Sequence, residues 1–257
     1  MLKTRVIPVL LLHKRGLVKT VKFKNPIYIG DPTNAIKIFN EKEVDELVFL
    51  DIDASKEGKE PDYQIIEDFA SECFMPVCYG GGITNIEQMR KLFALGIEKI
   101  SLNHAVIKKK KLIQEAVSLF GSQSIVVSVD IKKSLFGKYQ VYSHGSKKVI
   151  KVPFLDYIKE FETLGVGEIL LNSVDLDGTQ KGYDINLLKQ IVKAVNIPVI
   201  ACGGAGELSD FKKVKDEANV SAVAAGSFFV FQGKHNAVLI TYPKYEELEK
   251  LFGEKDA

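Results

Sequence analysis

A single carboxylate, Asp130, closes the β-branched run SIVVSVD, at the point where a strand would give way to a loop. An acid held there could give or take a proton. The segment that should match it carries none: RVIPVLLL, Arg5 to Leu12, aligns with IVVSVDIK, Ile125 to Lys132, at a displacement near 119 residues and sets Leu11 opposite Asp130. The chain then runs on from VIPVLLL into a basic loop, HKRG, without passing an acidic residue. Half of a possible carboxylate pair is present, and the other half is an apolar side chain.

Two glycine-rich turns, Gly80-Gly81-Gly82 and Gly203-Gly204, lie in the segments PVCYGGG and PVIACGG, which begin 122 residues apart. Backbone N–H groups in such turns can approach an anion closely, as phosphate loops require, although glycine can equally serve a tight strand-to-helix turn. The twofold placement, with Ser101-Leu102-Asn103 and Ala225-Gly226-Ser227 at the next strand ends, favours two phosphate sites and a long substrate phosphorylated at each end. A third group, Arg5, Glu46, Lys99 and Glu168, stands at or near predicted strand starts. Strand side chains alternate, so Arg5 shares a face with Ile7, Val9 and Leu11, and Lys99 with Ser101 and Asn103. Facing inward, two cations and two anions would close a neutral ring; facing outward, they are simply solvated. The residues alone favour the solvated reading.

The elements that must position these groups are eight βα units. Strands are predicted at Arg5 to Leu11, Glu46 to Asp51, Met75 to Tyr79, Lys99 to Asn103, Ser124 to Asp130, Glu168 to Asn172, Pro198 to Ala201 and Ala222 to Ala225. Helical periods follow them, as in IEQMRKLFAL and YDINLLKQIVKAV, and Asp31-Pro32 reads as an N-cap before a first-turn proline. Eight units in 257 residues match an α/β fold of the (β/α)8 TIM-barrel type better than an open doubly wound sheet. A hairpin, KYQVYSHGSKKVIKV with His144-Gly145-Ser146 as its turn, is predicted inside the fifth connection. VDELVFLDID and VGEILLNSVD repeat at 122 residues, pairing Glu46 with Glu168, Asp53 with Asp175 and Gly82 with Gly204, so the barrel carries an internal half-barrel duplication. No linker divides the chain, and one domain, 1–257, is expected.

With 35 basic against 33 acidic residues and a net charge of +2, no nucleic-acid partner is expected, and the run Lys108 to Lys111 reads as a solvated helix start. No apolar window reaches a membrane span, and no leader peptide precedes Arg5, so a cytoplasmic protein without a membrane partner is expected. Three cysteines, Cys73, Cys78 and Cys202, read as reduced thiols without zinc spacing. The four histidines, His13, His104, His144 and His235, are scattered, so neither metal nor cofactor is expected.

LVFLDIDAS, YGGGI, FGSQSIVVSVDIK, GEILLNSVDLDGTQKGYD and PVIACGGAG resemble, in order and over essentially the whole chain, the cyclase subunit of imidazole glycerol phosphate synthase. The resemblance implies a two-phosphate barrel fed with ammonia by a glutaminase subunit docked on its N-terminal face. It places the charged gate for ammonia on Arg5, Glu46, Lys99 and Glu168, which favours the ring over the solvated reading. It places phosphate binding on Gly81, Gly82 and Asn103 in one half, and on Asp177, Gly178, Gly203, Gly204, Gly226 and Ser227 in the other. His104 stands where the family usually has threonine, which weakens the first of these sites.

Of the family's two catalytic carboxylates, one falls on Asp130 and the other on Leu11, which cannot exchange a proton. The loop HKRGLVKTVKFKNPIYIGDP keeps Lys19 but lacks the family's acidic residues. VIPVLLL, KTVKFKNP, CFMPVCYGGGI and VAAGSFFVFQGKH are similar to a paralogous branch associated with surface-polysaccharide pathways, where a sugar acetamido group becomes acetamidino and a separate sugar amidotransferase takes part. The expected function is therefore ammonia channelling for sugar amidination. The alternatives are an authentic cyclase in which His13 substitutes for the missing acid, and a noncatalytic conduit that activates the glutaminase.

Overall fold

A computed structural model describes residues 4–253. Eight parallel strands alternate with helices, and each strand pairs with the next: β1 (Arg5–His13), β2 (Leu47–Asp51), β3 (Val77–Gly80), β4 (Lys99–Leu102), β5 (Ile125–Lys133), β6 (Glu168–Ser173), β7 (Val199–Cys202) and β8 (Ala222–Ala225). β8 pairs back onto β1, with Arg5 opposite Ala222 and Pro8 opposite Ala225, so the sheet closes into a (β/α)8 barrel.

The strand alternation divides the core in two. On β1, Ile7 and Val9, with Leu11 packed against them, face inward with Val48, Cys78, Val126, Leu170, Ile200 and Cys202. Val6, Leu10 and Leu12 face outward into the layer between sheet and helices. That layer is closed by α1 (Pro32–Glu41), α2 (Tyr63–Ala70), α3 (Ile86–Ala94), α4 (Lys110–Phe120), α5 (Phe154–Thr163), α6 (Ile185–Val192), α7 (Leu208–Ala218) and α8 (Tyr245–Gly253). Each main helix presents apolar residues at helical spacing. In α3 these are Ile86, Met89 and Leu92, each worth about 1.5–3 kcal/mol on full burial. Side-chain caps begin several of them: Asp31, followed by Pro32, accepts from Asn34 N at 3.1 Å, and Asp184 accepts from Leu187 N at 3.1 Å.

The basic loop after β1 is in fact two further strands. β1 continues past Leu11 to His13, and Gly16–Val21 and Lys24–Gly30 return against it as an antiparallel meander. The hairpin signal is hidden because both two-residue turns, Lys14-Arg15 and Lys22-Phe23, hold their residues at positive φ (47°, 66°, 51° and 61°) without the usual asparagine or glycine. The predicted hairpin of the fifth connection is present as Tyr139–Ser143 and Lys148–Ile150, and its first strand pairs with the extension of β5. Its turn is one residue longer than predicted, ending at Lys147 with φ 54°. Boundaries shift elsewhere: Glu46 precedes β2, Met75 and Pro76 precede β3, and Gly80 is the last residue of β3 rather than part of the turn. The lysine run does not simply open one helix. A short helix, His104–Lys108, ends within it, and α4 starts at Lys110, with Lys109 to Lys111 exposed.

The duplication extends to single contacts. Asp53 Oδ2 accepts from Lys14 N at 3.2 Å, and its counterpart Asp175 Oδ2 accepts from Lys133 N at 2.6 Å. Both carboxylates tie the end of a barrel strand to a following βα loop.

Candidate functional site

At the N-terminal end of the barrel the four charges face inward and touch. Arg5 lies 2.5 Å from both Glu46 Oε2 and Glu168 Oε1, and Lys99 Nζ lies 2.9 Å from Glu46 Oε2 and 3.1 Å from Glu168 Oε2. Each cation bridges both anions, so the contacts form a closed, neutral ring. Burial alone would lower the Arg5 pKa, but the Glu168 and Glu46 carboxylates more than reverse this and raise it. Glu46 is only 2% exposed, and its Oε1 has no hydrogen-bond partner among the described residues.

Above the ring the interior is lined largely by short or apolar side chains, including Ile7, Val48, Cys78, Ala222 and Ala224. Ser101 and Ser128 hydrogen-bond to each other there at 2.6 Å. Burial holds the Cys78 thiol well above its ordinary pKa and pushes Cys202 up to about 12, so both present neutral S–H groups. β1 rises about 20 Å from Arg5 to Leu11, which at the roughly 36° tilt of barrel strands sets ring and mouth about 16 Å apart along the axis.

At the opposite end Asp130, 6% exposed, points into a mouth cavity of about 240 Å³. Burial raises its pKa to about 7; Asn103 Nδ2, donating at 2.8 Å, works against this and the Asp177 charge adds to it. Such a carboxyl can change protonation near neutrality. Leu11 lines the same cavity. Two residues farther along the inward face of β1, His13 Nδ1 stands 2.7 Å from Asp53 Oδ2, and His13 also reaches the cavity.

The returning strand Gly16–Val21 carries Lys19 into the mouth, where its buried ammonium donates to Asp177 Oδ1 at 3.0 Å and Thr20 O at 2.7 Å. Asp177, predicted at a phosphate site, lines the cavity with its carboxylate held by Lys19 and Thr20 and its backbone N–H donating to Ser173 O. Gly82 N is likewise occupied by Ser55 Oγ at 3.1 Å. Displacement by 122 residues maps Ser55 onto Asp177, a relation that could have drawn attention to Ser55 from the sequence. The tips of the two meanders meet above the mouth, with Phe23 packed edge-on against His144 at 5.1 Å. Nothing in the sequence pairs those two residues.

The remaining predicted positions, Gly81, Asn103, Gly178, Gly203, Gly204, Gly226 and Ser227, all line the cavity. Some glycines have a packing reason of their own: a Cβ on Gly204, at φ 119°, would collide with Gly182 O. Gly226 differs, because its φ is ordinary and a Cβ there would meet the Lys19 side chain at 2.9 Å. Beside it Ser227 Oγ is buried without a hydrogen-bond partner among the described residues, as is Asn172 Oδ1. Buried polar atoms left this way suit a site whose partner is a ligand.

Residues 5–236 match the family model described as histidine biosynthesis protein. The chain belongs to that family. A Pseudomonas aeruginosa protein provisionally named imidazole glycerol phosphate synthase subunit hisF2 is 54% identical over 249 residues, covering 97% of this chain and 99% of that protein. A Vibrio vulnificus protein provisionally named subunit hisF3 is 50% identical over 251 residues, covering 97% and 96%. The imidazole glycerol phosphate synthase subunit HisF of Natranaerobius thermophilus is 41% identical over 232 residues, covering 90% and 92%. The family assignment and the closed barrel agree with each other.

Proposed function

We propose that this barrel receives ammonia from a glutaminase docked on its N-terminal face, admits it past Arg5, Glu46, Lys99 and Glu168, and delivers it at the mouth for amidination of a sugar in surface-glycan synthesis. The reading rests on one observation: the charged ring is complete at the base, whereas the mouth holds Asp130 faced by Leu11.

Neutral ammonia loses little on entering an interior of valine, alanine and thiol side chains, whereas ammonium would shed its hydration without a counter-charge. A neutral ring at the entrance excludes bulk water and ions without holding a net field along the axis. At the mouth Asp130, with its pKa near 7, takes up or returns the proton that nitrogen attack on an acceptor requires. Lys19, Gly226 and Ser227 form the corner best suited to a phosphate, with Gly203 and Gly204 beside it. On this reading a separate sugar amidotransferase accepts the ammonia and activates the acetamido oxygen, which leaves as the new C–N bond forms.

Imidazole ring closure wants a second proton-exchanging group, and a positioned acid or base contributes roughly 10²- to 10⁴-fold. The test is an ammonium-driven cyclisation assay with the purified barrel and the substrate of imidazole glycerol phosphate synthase, which removes the glutaminase from the question. Closure slower by about two orders of magnitude or more than that of a cyclase carrying both carboxylates is expected; closure at that cyclase's rate defeats the proposal. One observation favours a second reading, an authentic cyclase: His13, held against Asp53, opens onto the same cavity as Asp130. That reading requires His13→Gln to abolish cyclisation and Leu11→Asp to change it little.

A further inference from the structure

The meander that follows β5 is one-sided in charge. From Ile131 to Leu155 there are six lysines and no aspartate or glutamate. At the apex the turn Ser134 to Lys138 is closed by Ser134 N donating to Lys138 O at 2.8 Å, Gly137 N to Ser134 O at 3.0 Å and Lys138 N to Ser134 Oγ at 3.1 Å. This ordered turn holds up Leu135 and Phe136, which are 102% and 91% exposed. Two adjacent large apolar side chains wholly in water are unusual on an otherwise well-packed molecule, and the turn that presents them is built rather than frayed.

Lys133 is engaged by Asp184 at 2.7 Å, but Lys132, Lys138, Lys148 and Lys151 pair with no carboxylate among the described residues. The cross-strand register aligns Lys132 with Gln140, and Val149 and Val152 are also exposed on this meander. We infer that this meander docks the barrel on an anionic phospholipid surface, with Leu135 and Phe136 entering the interface and the lysines facing the headgroups.

Charge complementarity selects the occupant. Unpaired lysines around an apolar apex match a negative surface, and a deformable bilayer accepts a convex tip without a preformed pocket. No helix among the described residues is long and apolar enough to cross a membrane, so the attachment is peripheral. It goes beyond the expectation of no membrane partner, which considered only a membrane span. Because the turn follows the C-terminal end of β5, docking would hold the barrel mouth beside the bilayer.

The test is co-sedimentation of the full chain with vesicles of phosphatidylcholine alone or mixed with phosphatidylglycerol. Binding to the mixed vesicles only, weakened by high salt and lowered roughly tenfold or more in a Leu135→Ser, Phe136→Ser double variant and in a Lys132→Glu, Lys138→Glu double variant, is expected. Both variants change exposed residues, and unchanged thermal unfolding checks their fold. No binding to the mixed vesicles, or binding that the tip variant leaves intact, overturns the inference. So does a tip that binds an acidic partner protein while ignoring lipid.

Discussion

Asp130 and Leu11 occupy equivalent places in the two halves of the barrel, and their difference decides what the mouth can do. Asp130 titrates near 7 in the folded protein because it is buried, well above its value in the unfolded chain. Its contribution to stability is therefore intact in acid and falls as pH rises from about 4 through about 7. Asp130→Asn should remove this penalty, raising the melting temperature above pH 7 with little effect at pH 4. The same variant should lower amidination by about 10²-fold or more, whereas a pure conduit would leave it intact. Leu11→Asp should place a second carboxylate across the mouth from Asp130, raise the Asp130 pKa further and increase ammonium-driven imidazole closure by about tenfold or more. Unchanged closure in that variant would favour the His13 reading. Asp130 and Leu11 were legible in the sequence because a repeat sets them opposite each other, whereas strand alternation only put the four ring residues on shared faces and the family resemblance was needed to turn them inward. The engagement of Asp177 by Lys19 was not legible, because Lys19 reaches it from a strand that the sequence did not reveal.

Among the elements, the ring and the meanders carry separable predictions. Glu46→Gln removes the most buried anion of the ring and leaves Arg5 and Lys99 sharing Glu168. A loss of about 2–3 kcal/mol in chemical denaturation is expected, less than for a fully buried pair because Arg5 and Lys99 keep some solvent. The turns Lys14-Arg15 and Lys22-Phe23 store strain, since each residue occupies a left-handed conformation that costs roughly 1 kcal/mol outside glycine and asparagine. Lys22→Asn should stabilise the fold by up to about 1 kcal/mol, and it leaves Phe23 against His144. The first meander escaped detection for this reason: its turns lack the residues that normally announce them. The second was visible because His144-Gly145-Ser146 supplied an ordinary turn signal, although the turn extends to Lys147.

For the whole molecule, eight βα periods in 257 residues and the repeat at 122 residues made both the closed barrel and its pseudo-twofold symmetry readable in the sequence. Closure brings groups far apart in sequence together at each end: Arg5 meets Glu168 at the base, and Lys19 meets Asp177 at the mouth. The contact of the two meander tips depends on how far each folds over the rim, which no local pattern encodes. The central claim is that ammonia travels lengthwise from the ring to Asp130. Its most direct test compares glutamine-supported with ammonium-supported product formation by the barrel, its glutaminase and its acceptor enzyme, in the wild type and in Lys99→Met. The claim predicts that the variant keeps its ammonium-supported rate while its glutamine-supported rate falls and free ammonia accumulates in step with glutamine hydrolysis. Equal retention of both rates, with no ammonia released, would contradict it.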